Sequence, residues 1–103
     1  MKIKWDPEAR ASFRQVARYV NTKFGRKARQ EFMQRVKDTE GLVRQSPNIG
    51  QIDPLFESRA KTYRSVIVNG LNKMVYYVED DIVHIAAFWD TRREPTNQAT
   101  QTE

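Results

Sequence analysis

The sequence has no cysteine, one histidine, four glycines and four prolines in 103 residues. The missing cysteine removes disulfides and thiolate metal sites. A single histidine, His84, cannot supply a histidine pair, so any metal would rest on carboxylates alone. No apolar run approaches the roughly 20 residues that span a bilayer. The opening Met1-Lys2-Ile3-Lys4-Trp5 lacks the apolar core of an export signal. These absences lead us to expect a cytoplasmic protein with no metal, no cofactor and no membrane segment.

What is present is a modest apolar fraction and a lopsided charge. Apolar residues make up 39% of the chain, enough for one small core rather than a disordered segment. The formal net charge is +5, yet residues 1–37 carry eleven Lys/Arg against three Asp/Glu, and the remainder seven against ten. A first third so basic suits an anionic partner, or a solvated arginine-rich helix face.

Periodicity divides the chain into elements. Lys2-Ile3-Lys4-Trp5 alternates as a short strand. Asp6-Pro7-Glu8 reads as a helix start, with Asp6 as cap, Pro7 in the first turn and Glu8 complementing the dipole. Ala9, Phe13, Val16, Ala17, Val20 and Phe24 then form an inward stripe, and Gly25 stops the helix. A second helix from Arg26 is expected to bury Ala28, Phe32, Val36, Leu42 and Val43, which makes an antiparallel helical hairpin. Residues 46–54 read as loop from their Pro, Gly and Asn content. Three strands follow, 63–68, 71–78 and 82–89, joined by a tight primed turn at Asn69-Gly70 and a second turn at Glu79-Asp80-Asp81. The expected class is α+β in the order β-α-α-β-β-β, with the hairpin packed on one face of a small antiparallel sheet. Residues 1–95 read as one domain and 96–103 as a flexible polar tail.

Two basic sets are candidates for function. Arg10, Arg14 and Arg18 fall at successive i, i+4 positions, a like-charge arrangement that costs a few tenths of a kcal/mol per pair unless a partner neutralises it. Arg59, Lys61, Arg64, Lys73, Arg92 and Arg93 come from the sheet half. Gathered together they suit phosphate binding without a metal, or bidentate pairing with a carboxylate-rich peptide. Alternatively, Arg92 pairs only with Asp90 or Glu94. No serine has a base near it in sequence. His84 alternates with Ile82 and Ala86 in mid-strand, a structural position, with a role as general base for RNA cleavage as the alternative. Tyr76 and Tyr77 face opposite sides of the sheet, as do Phe88 and Trp89, so one of the tyrosines and at least one of Phe88 and Trp89 are expected in the core.

Several stretches together carry a family resemblance. They are Asp6-Pro7-Glu8-Ala9, Phe24-Gly25 with Ala28 and Phe32, Pro47 with Gly50, Tyr63-Arg64, residues 75–83 and Asp90-Thr91-Arg92-Arg93-Glu94-Pro95. In order and spacing the chain from Trp5 to Pro95 resembles the RelE/ParE superfamily of toxins from bacterial type II toxin–antitoxin modules. The ParE-like branch fits best through its long hairpin and the Pro47–Gly50 exit. That resemblance implies a growth-inhibiting toxin of a plasmid-stabilisation type system. It would bind DNA gyrase and be neutralised by a cognate antitoxin with an acidic amphipathic tail. Arg10, Arg14, Arg18, Arg92 and Arg93 would then meet the target or the antitoxin.

The RelE-like alternative is a metal-independent, ribosome-dependent endoribonuclease. On that pattern Arg64, Lys73 and Arg93 would be catalytic. The chain departs from it at Val66, which takes the place of a second basic residue. It departs again after Pro95, where a polar tail replaces the catalytic tyrosine. A third reading, a non-toxic basic nucleic-acid-binding module, lacks a groove-reading helix signature.

Overall fold

The computed structural model describes residues 1–56 and 60–91. In order they form β1 (Lys2–Trp5), α1 (Pro7–Phe24), α2 (Arg26–Gln45), β2 (Gln51–Ile52), a 3-10 turn at Pro54–Phe56, β3 (Arg64–Ile67), β4 (Asn72–Glu79) and β5 (Ile82–Asp90). The sheet order is β1-β5-β4-β3-β2, with β1 parallel to β5 and every other pair antiparallel. The expected α+β class holds, but the sheet is mixed where an antiparallel one was expected, because β1 lies parallel to β5, and it gains a strand. The segment read as loop contributes β2, which pairs with the start of β3.

Helix α1 begins after Asp6, but the carboxylate makes no capping bond. Instead the Asp6 N–H donates to the Ile85 carbonyl at 2.9 Å, so the sheet fixes the helix entry. Gly25 adopts φ +97°, where a side chain would be strained, and joins α1 directly to α2. The hairpin covers one sheet face. Phe13, Phe32 and Phe88 meet with ring centroids 5.7–6.0 Å apart, and Trp5 closes on Phe13 at 5.3 Å. Val36, Val43, Met74, Tyr76, Val83 and Ile85 complete this core. Two expectations fail at its margin: Phe24 is 64% and Leu42 53% exposed. Phe24 lies one turn beyond Val20, the last α1 residue on the core, and Leu42 sits one position off the stripe that buries Thr39 and Val43.

The opposite sheet face holds a smaller cluster in which Phe56, Val75 and Trp89 are buried, with Leu55, Tyr63 and Ala87 against it. Phe88 and Trp89 therefore both serve as core, one on each face. A bulge sets which face each takes, bringing Phe88 onto the face of Val83 and Ile85. Val75 pairs with Ala87 but Tyr76 with Ile85, so Ala86 has no partner and the alternation of β5 shifts there.

The turns differ from expectation. The positive φ angles of a primed turn occur at Asp80 (56°) and Asp81 (62°), between Glu79 and its partner Ile82. Asn69-Gly70 is not a two-residue turn. The loop is Asn69-Gly70-Leu71, closed by the Val68 N–H donating to the Asn72 carbonyl at 2.8 Å. The Asn69 Oδ1 accepts from the backbone N–H groups of Leu71 and Asn72.

Candidate functional site

Strands β3 and β4 carry the two central basic residues, and their register decides what these can do. Arg64 lies opposite Tyr76, and Lys73 opposite Ile67. Side chains alternate along a strand, so Arg64 shares the helix-covered face with Tyr76 while Lys73 lies on the other. The two are on adjacent strands as expected, but they do not converge.

Each has a local task. Arg64 is half-buried, and its Nη1 donates to the Gly50 carbonyl at 2.9 Å. Lys73 is only 8% exposed and its Nζ stands 2.9 Å from Asp53 Oδ2. It also sits 5.5 Å from the Trp89 ring centroid. Asp53 is itself buried, and its Oδ1 accepts from the Leu55 N–H at 2.9 Å, which starts the 3-10 turn. A buried carboxylate needs such partners, since an unpaired one costs several kcal/mol.

Tyr76 ties this region to the hairpin. Its hydroxyl donates to the Pro47 carbonyl at 2.6 Å and accepts from the Gly50 N–H at 3.0 Å. Burial pushes its pKa above the ordinary 10.0, against the opposing effects of the Gly50 hydrogen bond and the nearby Arg64. Gly50 has no room for a side chain. A Cβ would lie 2.8 Å from both the Ser65 carbonyl oxygen and the Tyr76 hydroxyl.

On the open sheet face, beyond the Phe56 cluster, Tyr77 and His84 pair across strands and stack at 4.7 Å with planes 6° apart. Lys61 Nζ lies 4.4 Å from the Tyr77 centroid and 3.3 Å from Glu79 Oε2, and that hydrogen bond raises its pKa. Burial likewise raises the Tyr77 pKa, with Asp6 adding to it. His84 is thus held flat between strands, at a distance along β4 from Lys73. Among the described residues no three His, Asp or Glu side chains gather to hold a metal. None of the described helices is long and apolar enough to cross a membrane.

Arg10, Arg14 and Arg18 lie exposed along α1 as expected. The described ion pairs involve Lys61 and Lys73, so none of these three arginines takes part in one. Arg59, Arg92 and Arg93 fall outside the described residues, as does the segment 96–103, and Asp90 closes β5 just before them.

Residues 3–95 match the sequence model of the ParE toxin of type II toxin–antitoxin system, parDE. The chain belongs to the ParE toxin family. No curated protein matches the sequence. Among solved structures, the ParE-family fold recurs in a chain of the chromosomal ParDE toxin–antitoxin system from P. aeruginosa. That likeness has a TM-score of 0.70 at 16% identity, covering 87% of this chain and 95% of that one. A second likeness is to the YoeB dimer from Staphylococcus aureus, with a TM-score of 0.56 at 17% identity, covering 84% and 92%. At these identities the structures speak for the fold.

Membership of a ParDE family implies a cognate antitoxin as partner. Two residues organise this region in a way the sequence did not reveal, Asp53 through Lys73 and Tyr76 through Pro47 and Gly50. The Tyr76-Tyr77 pair signalled that one ring goes inward. Nothing in the sequence marked Asp53 as the counter-ion of Lys73, twenty positions away.

Proposed function

We propose that this ParE-family toxin arrests growth by binding DNA gyrase, not by cutting RNA, and that its antitoxin silences it by covering the C-terminal end of α2 and the β2 edge of the sheet. The observation carrying the reading is the divergence of Arg64 and Lys73. Metal-free phosphoryl chemistry needs cations converging on one phosphate. Here one guanidinium holds a backbone carbonyl behind the sheet, and the ammonium is buried against Asp53 on the other side. Both are committed to holding the fold.

The antitoxin part rests on a groove at the β2 edge of the sheet whose lining is part apolar and part polar, with Thr39, Gln51, Ser65 and Lys73 among it. Leu42, Val43, Ile49, Ile52, Val66 and Ile67 line a cavity of about 580 Å³, and four of these are at least half exposed. An amphipathic segment laid there would bury the apolar side chains the chain leaves open.

The test is induced expression with two readouts, gyrase–DNA cleavage complexes and mRNA integrity. We expect trapped complexes with intact mRNA, relieved when the antitoxin is coexpressed. Codon-positioned mRNA cuts without trapped gyrase would overturn the reading and favour the ribosome-dependent nuclease.

A further inference from the structure

The tip of the helical hairpin is unlike the rest of the surface. Tyr19 is 52% and Phe24 64% exposed, the first beside Val20 and the second one turn beyond it, where α1 leaves the core. Lys23 Nζ sits between them, 5.6 Å from the Tyr19 centroid and 5.9 Å from that of Phe24. Around this knob Arg18, Arg26 and Lys27 are exposed, and no described ion pair includes them. The first turn of α2 contains no acidic residue, so its cations Arg26 and Lys27 stand against the helix dipole with no acid in that turn to offset them. The arrangement weakens the isolated molecule twice, by leaving a large aromatic in water and by crowding like charges.

We infer that the tip formed by Tyr19, Lys23, Phe24 and Arg26 is a docking knob for an acidic protein surface with an apolar cleft. It would be the contact through which the toxin engages its protein target. The inference rests on the target reading given above and assigns it a place, away from the β2-edge groove. Charge decides the class of partner. Residues 1–37 carry eleven cations against three anions, so carboxylates are the complement. The exposed rings decide between a protein and duplex DNA, whose bases are already stacked on one another. A phosphate backbone would satisfy the cations and leave Phe24 in water, whereas an acidic cleft takes both. Exposed aromatics rimmed by arginine also match the composition of binding hot spots.

The experiment compares the full chain with Phe24→Ser and Arg26→Glu. Both positions are exposed, so denaturation midpoints should match wild type. Arg26→Glu should if anything stabilise, because an acid then lies in the first turn of α2. With purified gyrase and DNA, each variant should need at least about tenfold more protein for half-maximal trapping of cleavage complexes. Growth inhibition should fall in parallel, while affinity for the antitoxin stays within about twofold. Variants that trap gyrase and arrest growth like wild type would overturn the inference. So would tight binding of the wild type to naked DNA that Arg26→Glu lowers and Phe24→Ser does not, which is the nucleic-acid outcome. If the wild type arrests growth without trapping gyrase, the gyrase reading fails. Loss of arrest in both variants would then still support the knob, acting on another target. A wild-type chain that neither arrests growth nor traps gyrase overturns both.

Discussion

The Tyr76 hydroxyl donates to the Pro47 carbonyl at 2.6 Å, across 29 positions of sequence, and so fastens the exit of the hairpin to the middle of the sheet. The same oxygen accepts from the Gly50 N–H, and Arg64 holds the Gly50 carbonyl from the neighbouring strand. Pro47, Gly50, Arg64 and Tyr76 thus form one structural unit.

Removing that hydroxyl should be costly for a single atom. Tyr76→Phe leaves the Gly50 N–H without its partner and removes the bond to Pro47, so we expect a loss of about 2–3 kcal/mol. Urea denaturation should show a lower midpoint with an unchanged slope. Gly50→Ala should cost about 1–3 kcal/mol by a different route, overpacking against the Ser65 carbonyl. A Tyr76→Phe midpoint equal to wild type would show that the bonds contribute nothing net.

Stability should also fall in alkali. The folded pKa of Tyr76 is raised above 10.0. The native state therefore holds its proton where the unfolded chain releases it. That contribution is fully present below the unfolded value and is lost as pH rises through the folded one. Denaturation series from pH 8 to 11 should be flat in this respect until the ordinary tyrosine range and decline above it. The decline should be shallower in Tyr76→Phe.

The Lys73–Asp53 pair should behave as a structural unit. Lys73→Ala or Asp53→Ala each strands a buried charge, at a cost of about 3–5 kcal/mol. The double variant Lys73→Met with Asp53→Leu should recover much of that loss, because both charges leave together. A double-mutant cycle measures the coupling. Near-zero coupling would mean that the pair does not hold the fold.

Adjacent residues at the end of α2 should differ sharply. Val43 is fully buried, and Val43→Ala should cost about 2 kcal/mol through lost burial and the cavity left behind. Leu42→Gln, half exposed, should stay within about 0.5 kcal/mol in the isolated toxin. Because Leu42 lines the groove, the same change should weaken antitoxin binding, measurable by calorimetry.

Much of the architecture was legible because it follows from local chemistry. The apolar spacing from Ala9 to Val20 and from Phe32 to Val43 specified two helices, and Gly25 specified the break. The pattern in 71–78 and 82–89 specified two strands to within a residue at their ends, and Glu79-Asp80-Asp81 the turn between them. The errors fell where local signals compete. Phe24 continues the stripe of α1 but overshoots the sheet beneath it. Gln51-Ile52 is too short to show a period, and becomes a strand only because β3 lies beside it.

The candidate site was less legible, for one reason of register. A two-residue turn at Asn69-Gly70 would pair Val68 with Leu71 and put Arg64 and Lys73 on one sheet face, where they could share a phosphate. The observed loop takes in Leu71 as well, held by Asn69 Oδ1, and pairs Val68 with Asn72. One residue of slip turns every side chain of the strand to the other face. That register sends Tyr76 inward to Pro47 and Lys73 outward to Asp53. By itself the sequence determined the family, the helical hairpin and the four longer strands, through patterns a few residues long. Tertiary structure alone decided whether its cations meet, because facing across strands depends on pairing and buried partners that no local pattern encodes.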